Sequence, residues 1–246
     1  MNKTPITQQI ALPDGNFTVY EWGQPQASLP SLIFMHATGF HGRCWDAVIR
    51  RLPEFHAYAI DARGHGQSVK SPPPYSWQQN GGDMVAVVQA LGVQQAIGIG
   101  HSMGGNGLVR AAAALPDAFR GLLLVDPVIL PKDDYQLDSY SIDGHFVLNR
   151  RREWDSPEAM YDRFLGRGPF ANWQPEVLYD YCQYGLLPAG DGYVLACDPE
   201  IEAHVYASTA LKTSADVYAA VAQIACLVTV LRCDNPVDNP GINLMG

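Results

Sequence analysis

Short uninterrupted runs of hydrophobic residues recur along the chain, and polar segments rich in glycine and proline separate them. Runs of four to six such residues are typical of strands buried on both faces of a parallel sheet. An earlier segment, at 17–22, alternates and is aromatic, which indicates a strand near the N-terminus. The pattern predicts five further strands, at 31–36, 57–60, 96–100, 122–125 and 227–231.

Helical patterns lie between these runs. One ends at Gly92 and another ends before Pro116, and both residues are common stop signals. The predicted helices cover 45–52, 83–91, 103–115 and 214–224. Alternating strands and helices predict an α/β fold with a doubly wound, mostly parallel sheet.

This rhythm stops in the middle of the chain. From 131 to 207 no buried-strand run occurs, and the segment instead has aromatic-rich helical pieces at 157–165 and 175–184. We therefore expect a helical lid over 131–207, inserted into a core formed by 1–130 and 208–246.

Composition limits the classes of partner. The chain has 246 residues, 47% of them hydrophobic, and a formal net charge of -9. That charge argues against a nucleic-acid-binding surface. The one dense basic run, Arg150-Arg151-Arg152, precedes Glu153 and Asp155, and this mixture predicts a solvated helix face.

Cysteine usage and the N-terminus bear on localisation. The five cysteines are odd in number and include no Cys-x-x-Cys pair, so neither a disulfide framework nor a metal site is predicted. The first residues lack the apolar core of a signal peptide, and no run is long enough to span a membrane. We expect reduced, mostly buried thiols in a cytoplasmic protein with no membrane partner.

A Gly-x-Ser-x-Gly motif at Gly100–Gly104 carries the clearest chemical signal. It follows a predicted strand and opens a predicted helix, which is the context of a nucleophile elbow. Small residues at both ends allow a sharp turn that presents Ser102 above the sheet. The start of the helix beneath it favours developing negative charge. Ser102 is therefore the candidate nucleophile.

The segment His36-Ala37-Thr38-Gly39-Phe40 directly follows another predicted strand. Acyl transfer needs two N–H donors aimed at the oxyanion, and this position together with the residue after the nucleophile can supply them. We predict the backbone N–H groups of Thr38 and Met103 as the donors. Phe40 and Trp45, with aromatic residues of the lid, are candidates for an apolar substrate pocket.

A third motif, at 61–68, reads Asp-Ala-Arg-Gly-His-Gly-Gln-Ser, and we expect its Asp61 and Arg63 to lock this loop. Together the three motifs resemble those of the serine α/β-hydrolase family. The resemblance implies an α/β-hydrolase fold and cofactor-independent hydrolysis of a small ester, lactone or related carbonyl compound. It selects no substrate among these.

The acid of a Ser-acid-His triad has three candidates. Asp126 follows the strand at 122–125, whereas Asp234 and Asp238 follow the last predicted strand, which is the commoner place in this family. We favour Asp126, because Asp-Pro after a strand points to the carboxyl edge of the sheet and the usual Gly-x-x-Asp signature is absent near Asp234.

The histidine of the triad should follow one more strand, yet no histidine occurs after His204. His36, His65 and His101 occupy motif positions that are not catalytic, and His41 is expected on a surface loop. We expect the chain to lack the final strand, helix and histidine of a complete hydrolase. The alternative is a non-catalytic relative that binds a small molecule beneath its lid.

Overall fold

The structure is a computed structural model that describes residues 4–232. The strands of this part are β1 (Ile6–Leu12), β2 (Gly15–Trp22), β3 (Leu32–Met35), β4 (Ala57–Ile60), β5 (Ala96–His101), β6 (Phe119–Val125), β7 (Glu153–Trp154), β8 (Leu186–Ala189), β9 (Gly192–Leu195) and β10 (Leu227–Leu231). Its helices are α1 (Asp46–Ile49), α2 (Trp77–Leu91), α3 (Met103–Ala114), α4 (Pro157–Phe164), α5 (Pro175–Tyr184), α6 (Pro199–Ala207) and α7 (Val217–Gln223).

A seven-stranded sheet forms the centre of the described chain, in the order β1-β2-β4-β3-β5-β6-β10. β1 and β2 are antiparallel to their neighbours, and the other five strands run parallel. Each strand predicted from the hydrophobic pattern is present. Because all five parallel strands point the same way, the loops that follow them meet at one edge of the sheet.

Alternate residues of β3 show how the two faces are buried. Ile33 and Met35 pack with α2, α3 and α7 in one hydrophobic cluster, whereas Leu32 and Phe34 pack on the opposite face with Trp45 and Ile49. All four side chains of β3 are buried. A central strand with apolar residues on both faces is what helices on each side of a sheet require.

The last parallel strand differs from its prediction. β10 pairs with β6 over five residues, as expected for a parallel strand, but all five of its residues are exposed, and Leu227 is 82% exposed. The prediction of burial is therefore wrong for this strand. Within residues 4–232, β6 is its single neighbouring strand.

The segment 131–207, for which we keep the name lid, contains α4, α5 and α6, together with a small antiparallel sheet in the order β7-β9-β8. Sequence patterns indicated α4 and α5, and they missed both α6 and this sheet. The strands are only two to four residues long, so they leave too little periodicity to detect. Gly190, with φ +56°, closes the turn between β8 and β9.

Four cysteines lie in the described part: Cys44, Cys182, Cys197 and Cys226. All four are free thiols. Burial raises the pKa of the Cys182 thiol to about 12.

No helix between residues 4 and 232 is long and apolar enough to cross a membrane. In the same range, no three or more His, Cys, Asp or Glu side chains are grouped as metal ligands would be.

Candidate active site

Ser102 lies between β5 and α3, in a backbone conformation that is rare for any residue except glycine. Its φ is 52° and its ψ is -114°. The Ser102 N–H donates to the carbonyl of Val125, at 2.9 Å, and the residue is 2% exposed. A serine held in such a region costs about 1–3 kcal/mol and persists only where its surroundings impose it.

Close contact between α3 and β3 imposes this turn. A Cβ atom added to Gly104 would lie 2.4 Å from the carbonyl oxygen of Met35. A Cβ atom at Gly100 would lie 2.7 Å from backbone atoms of Gly104. The two glycines of the motif are therefore required because the backbones of helix and strand touch, and that contact fixes Ser102 at the carboxyl edge of the sheet.

Replacing Ser102 with glycine should stabilise the protein. Glycine adopts the φ of 52° without steric cost, and this relief outweighs the added entropy of the unfolded chain, so we expect a gain of about 1 kcal/mol in the free energy of unfolding. Urea unfolding measures it. Ser102→Ala is the matched control, since alanine keeps the strain. Equal stability of the glycine and alanine variants would contradict the argument.

The two predicted oxyanion donors follow neighbouring strands. Met35 of β3 is the register partner of Gly100 in β5, and Thr38 and Met103 come three residues after them. Within residues 4–232, neither the Thr38 N–H nor the Met103 N–H donates a hydrogen bond. At the first residue of a helix, as at Met103, an N–H without an intrahelical partner is expected.

Asp126 lies beside Ser102 across adjacent strands. Val125 is the register partner of His101, so the residues that follow each of them are neighbours at the sheet edge. Asp126 has a φ of 40°, and its N–H donates to the carbonyl of Leu231 at 2.8 Å. Burial lowers the pKa of His101, and the Asp126 carboxylate opposes that shift. Asp234 and Asp238 lie outside the described residues.

Of the two predicted pocket residues, Phe40 contacts the lid. Its ring stacks on Trp173, with centroids 5.7 Å apart, and lies 5.4 Å from the ring of Tyr181. It also lies 6.2 Å from the His101 ring. Trp45 instead packs 5.2 Å from Phe34, in the cluster on the other face of the sheet. The structure thus brings one of the two into contact with the lid aromatics.

The sequence context of His41 predicted a surface loop, and this prediction is wrong. It is 2% exposed, its Nε2 lies 3.1 Å from the carbonyl oxygen of Tyr181, and its ring stacks on that tyrosine. Burial lowers the pKa of His41 to about 4. The lid covers this residue, and the hydrophobic pattern of the loop carried no sign of that contact.

His36 and His65 join the 36–41 loop to the 61–68 motif. The Nε2 of His65 accepts the N–H of Gly39 at 3.0 Å, and the Nε2 of His36 accepts the N–H of Ala62 at 2.9 Å. Each Nδ1 is 2.8 Å from a backbone carbonyl oxygen, so each ring is the neutral Nδ1–H tautomer. Burial lowers the pKa of His65 to about 3 and that of His36 to about 4.

Asp61 and Arg63 each hold the 61–68 motif through hydrogen bonds to other residues rather than to each other. The Asp61 carboxylate accepts the N–H groups of Gly42 and Gln67, at 2.6 and 2.8 Å. Arg63 pairs with Asp83 at 2.6 Å. The loop is held between the 36–45 region and α2, which keeps His65 beneath Gly39.

A pH dependence of stability follows from His65. Its pKa is about 3 in the folded protein against an ordinary 6.5, so unfolding takes up a proton, and stability falls as pH drops below 6.5. We expect His65→Gln, which keeps an acceptor for the Gly39 N–H, to reduce this slope by about 1.4 kcal/mol per pH unit between about pH 4 and about pH 5.5.

Urea unfolding of both proteins across that range measures the difference. His204→Gln provides the matched histidine-to-glutamine comparison, because His204 is partly exposed on the lid, where it forms a hydrogen bond with Tyr140 at 3.0 Å. An unchanged slope in His65→Gln would mean that His65 is already protonated in the folded protein.

The basic run at 150–152 has one partly buried and two exposed side chains. Arg150 forms an ion pair with Glu202, which is 5% exposed, and donates to the Tyr181 hydroxyl at 2.8 Å. Arg151 and Arg152 have side chains that are 47% and 48% exposed. The prediction of a solvated helix face is therefore wrong for Arg150, and the run lies in no helix. Glu202, the acidic partner of Arg150, is 52 residues away in sequence, so local charge patterns cannot reveal the pair.

Comparison with known proteins decides the family. Residues 32–241 match the family model described as the alpha/beta hydrolase family. The chain belongs to this family. An esterase of Mycobacterium tuberculosis is 31% identical over 168 residues, which are 67% of this chain and 55% of that protein. A 2-(acetamidomethylene)succinate hydrolase of Mesorhizobium japonicum is 31% identical over 41% of this chain and 37% of its own length.

Solved structures agree on the alpha/beta hydrolase fold. The crystal structure of E-2-(acetamidomethylene)succinate hydrolase matches with a TM-score of 0.72 at 20% identity, over 98% of this chain and 87% of that one. The thioesterase domain from the curacin biosynthetic pathway matches with a TM-score of 0.74 at 18% identity, over 98% and 90%. At these identities the likeness concerns the fold, whereas the aligned segment spans about half of the Mycobacterium esterase.

Proposed function

We propose that the protein is a cofactor-independent serine hydrolase that cleaves a small ester, lactone or related carbonyl compound through an acyl-enzyme. The strained backbone of Ser102, at the edge where the Thr38 and Met103 N–H groups donate no hydrogen bond within residues 4–232, carries this proposal. A conformation costing about 1–3 kcal/mol is more readily understood in an enzyme than in a binding protein. Family membership and the esterase and hydrolase relatives support it.

In the proposed reaction the Ser102 hydroxyl oxygen attacks the substrate carbonyl carbon, and its proton passes to a base. The carbonyl oxygen becomes an oxyanion that accepts hydrogen bonds from Thr38 and Met103 N–H groups. Collapse expels the alkoxide, which takes up the proton. Water then attacks the acyl-enzyme in the same way, releasing the acid and restoring Ser102. Asp126 is proposed to stabilise the protonated base.

The base determines how fast this chain reacts. All seven histidines precede residue 205, and within residues 4–232 no side chain forms a hydrogen bond with Ser102 Oγ. We therefore expect slow attack by Ser102, because a positioned general base contributes about 10²–10⁴-fold. Imidazole added to the solution should supply that base and accelerate hydrolysis of a simple activated ester.

The test combines mass spectrometry with kinetics. A fluorophosphonate should attach to Ser102, and imidazole should increase both labelling and ester hydrolysis in a saturable manner. The lack of a side-chain hydrogen bond to Ser102 Oγ within residues 4–232 also favours a second candidate function, that of a protein which binds a small molecule beneath its lid. A protein that binds esters and is never labelled, with or without imidazole, would establish that alternative.

A further inference from the structure

The lid contacts the 36–41 loop at three successive residues. Glu202 of α6 lies against Gly39, the ring of Phe40 lies 5.4 Å from that of Tyr181 in α5, and His41 Nε2 lies 3.1 Å from the Tyr181 carbonyl oxygen. The residue just before these three is Thr38, the proposed oxyanion donor. The lid therefore borders the loop that this donor belongs to.

The contact at Gly39 leaves no free space. A Cβ atom on Gly39 would lie 2.6 Å from Oε1 of Glu202 and 2.8 Å from its carboxyl carbon. The Gly39 N–H also donates to His65 Nε2 at 3.0 Å. Gly39 is thus held between a lid carboxylate and a core imidazole, and its φ of +78° is one that other residues rarely adopt.

Glu202 is itself held rigidly. It is 5% exposed and forms an ion pair with Arg150, and Arg150 also donates to the Tyr181 hydroxyl at 2.8 Å. Burial raises the pKa of Glu202, and the guanidinium of Arg150 opposes that shift. Because a buried carboxylate is retained only when it has a partner, the ion pair with Arg150 keeps Glu202 in place.

We propose that Glu202 is a positioning residue, held by Arg150, which is itself bonded to the Tyr181 hydroxyl, and that Glu202 fixes the 36–41 loop so that the Thr38 N–H points to the oxyanion. The inference rests on the proposed hydrolase function. Oxyanion stabilisation depends on donors placed within a short range of the developing charge. Displacing such a donor by about 1 Å can lower the rate about 10²-fold. Because the Glu202 carboxylate lies against Gly39, the residue after Thr38, it affects the rate through the position of the Thr38 N–H.

Saturation kinetics of fluorophosphonate labelling test this role in the presence of imidazole. In Glu202→Ala we expect the maximal rate of Ser102 modification, kinact, to fall about 10- to 100-fold while the half-saturating concentration, KI, stays unchanged. Glu200→Ala is the matched control, since Glu200 is an exposed glutamate on the same helix, and its kinact should equal that of the wild type.

Removing Glu202 leaves the partly buried Arg150 without its acidic partner, and this alone destabilises the fold. The double variant Arg150→Met/Glu202→Ala removes both charges and keeps the protein folded, and its kinact should be as low as that of the single variant. A kinact equal to that of the wild type in the folded double variant would overturn the inference. A raised KI with unchanged kinact would also overturn it, because Glu202 and Arg150 would then contact the ligand.

Amide exchange by NMR separates this inference from the proposed function. Without any labelling of the wild type, the serine hydrolase proposal fails. Glu202 is then judged by the Gly39 amide, which should exchange faster in the double variant if the carboxylate fixes the loop. Unchanged protection of that amide would refute the positioning role.

Discussion

Ser102→Ala is expected to abolish fluorophosphonate labelling and the whole imidazole-dependent part of ester hydrolysis. The alanine side chain has no nucleophilic oxygen, so no acyl-enzyme forms. In complete triads the loss of the serine alone costs about 10⁶-fold. The rate with added imidazole should fall to that of imidazole in buffer, and intact-mass measurement should show no adduct.

A second serine-to-alanine variant controls for general effects of the substitution. Ser156 caps α4 in the lid by accepting the N–H of Ala159 at 3.1 Å. Ser156→Ala should lose about 1 kcal/mol of stability through the lost cap and keep full labelling of Ser102. Persistent labelling in Ser102→Ala would assign the nucleophile to another residue and end the case for this elbow.

Asp126→Asn should reduce the imidazole-dependent rate by about 10- to 100-fold, because a charge-assisted hydrogen bond to an imidazolium contributes about 1.5–3 kcal/mol. With a histidine of the chain as base, the same change in a triad costs about 10⁴-fold through the wrong tautomer, whereas free imidazole binds in either tautomer. The fold should tolerate the change, since asparagine readily adopts the φ of 40° found here.

The competing acids provide the comparison for this variant. Asp234→Asn and Asp238→Asn change the other two candidates, which lie outside the described residues. We expect both to retain the rate of the wild type, measured as imidazole-dependent hydrolysis at equal protein concentration. A large loss in either, with normal activity in Asp126→Asn, would move the acid to the segment after β10.

Local rules determined most of the fold. Hydrophobic runs located the parallel strands, because a strand covered on both faces needs apolar residues at every position. The motif at 100–104 located Ser102, because α3 approaches β3 at Gly104 and β5 at Gly100 so closely that only glycine fits. Signals of this kind reside in consecutive residues and can be read without a structure.

Contacts between distant segments were decided by the tertiary structure. Three contacts join residues that are far apart in sequence, so no local pattern predicts them. They are the ion pair of Arg150 with Glu202, the burial of His41 under Tyr181 and the packing of Trp45 on the far face of the sheet. Such contacts matter for stability, because burying a charged or polar group costs free energy unless it is paired with another group of the fold. The sequence alone therefore identified the candidate nucleophile, whereas only the folded chain showed that the lid contacts the loop beside it.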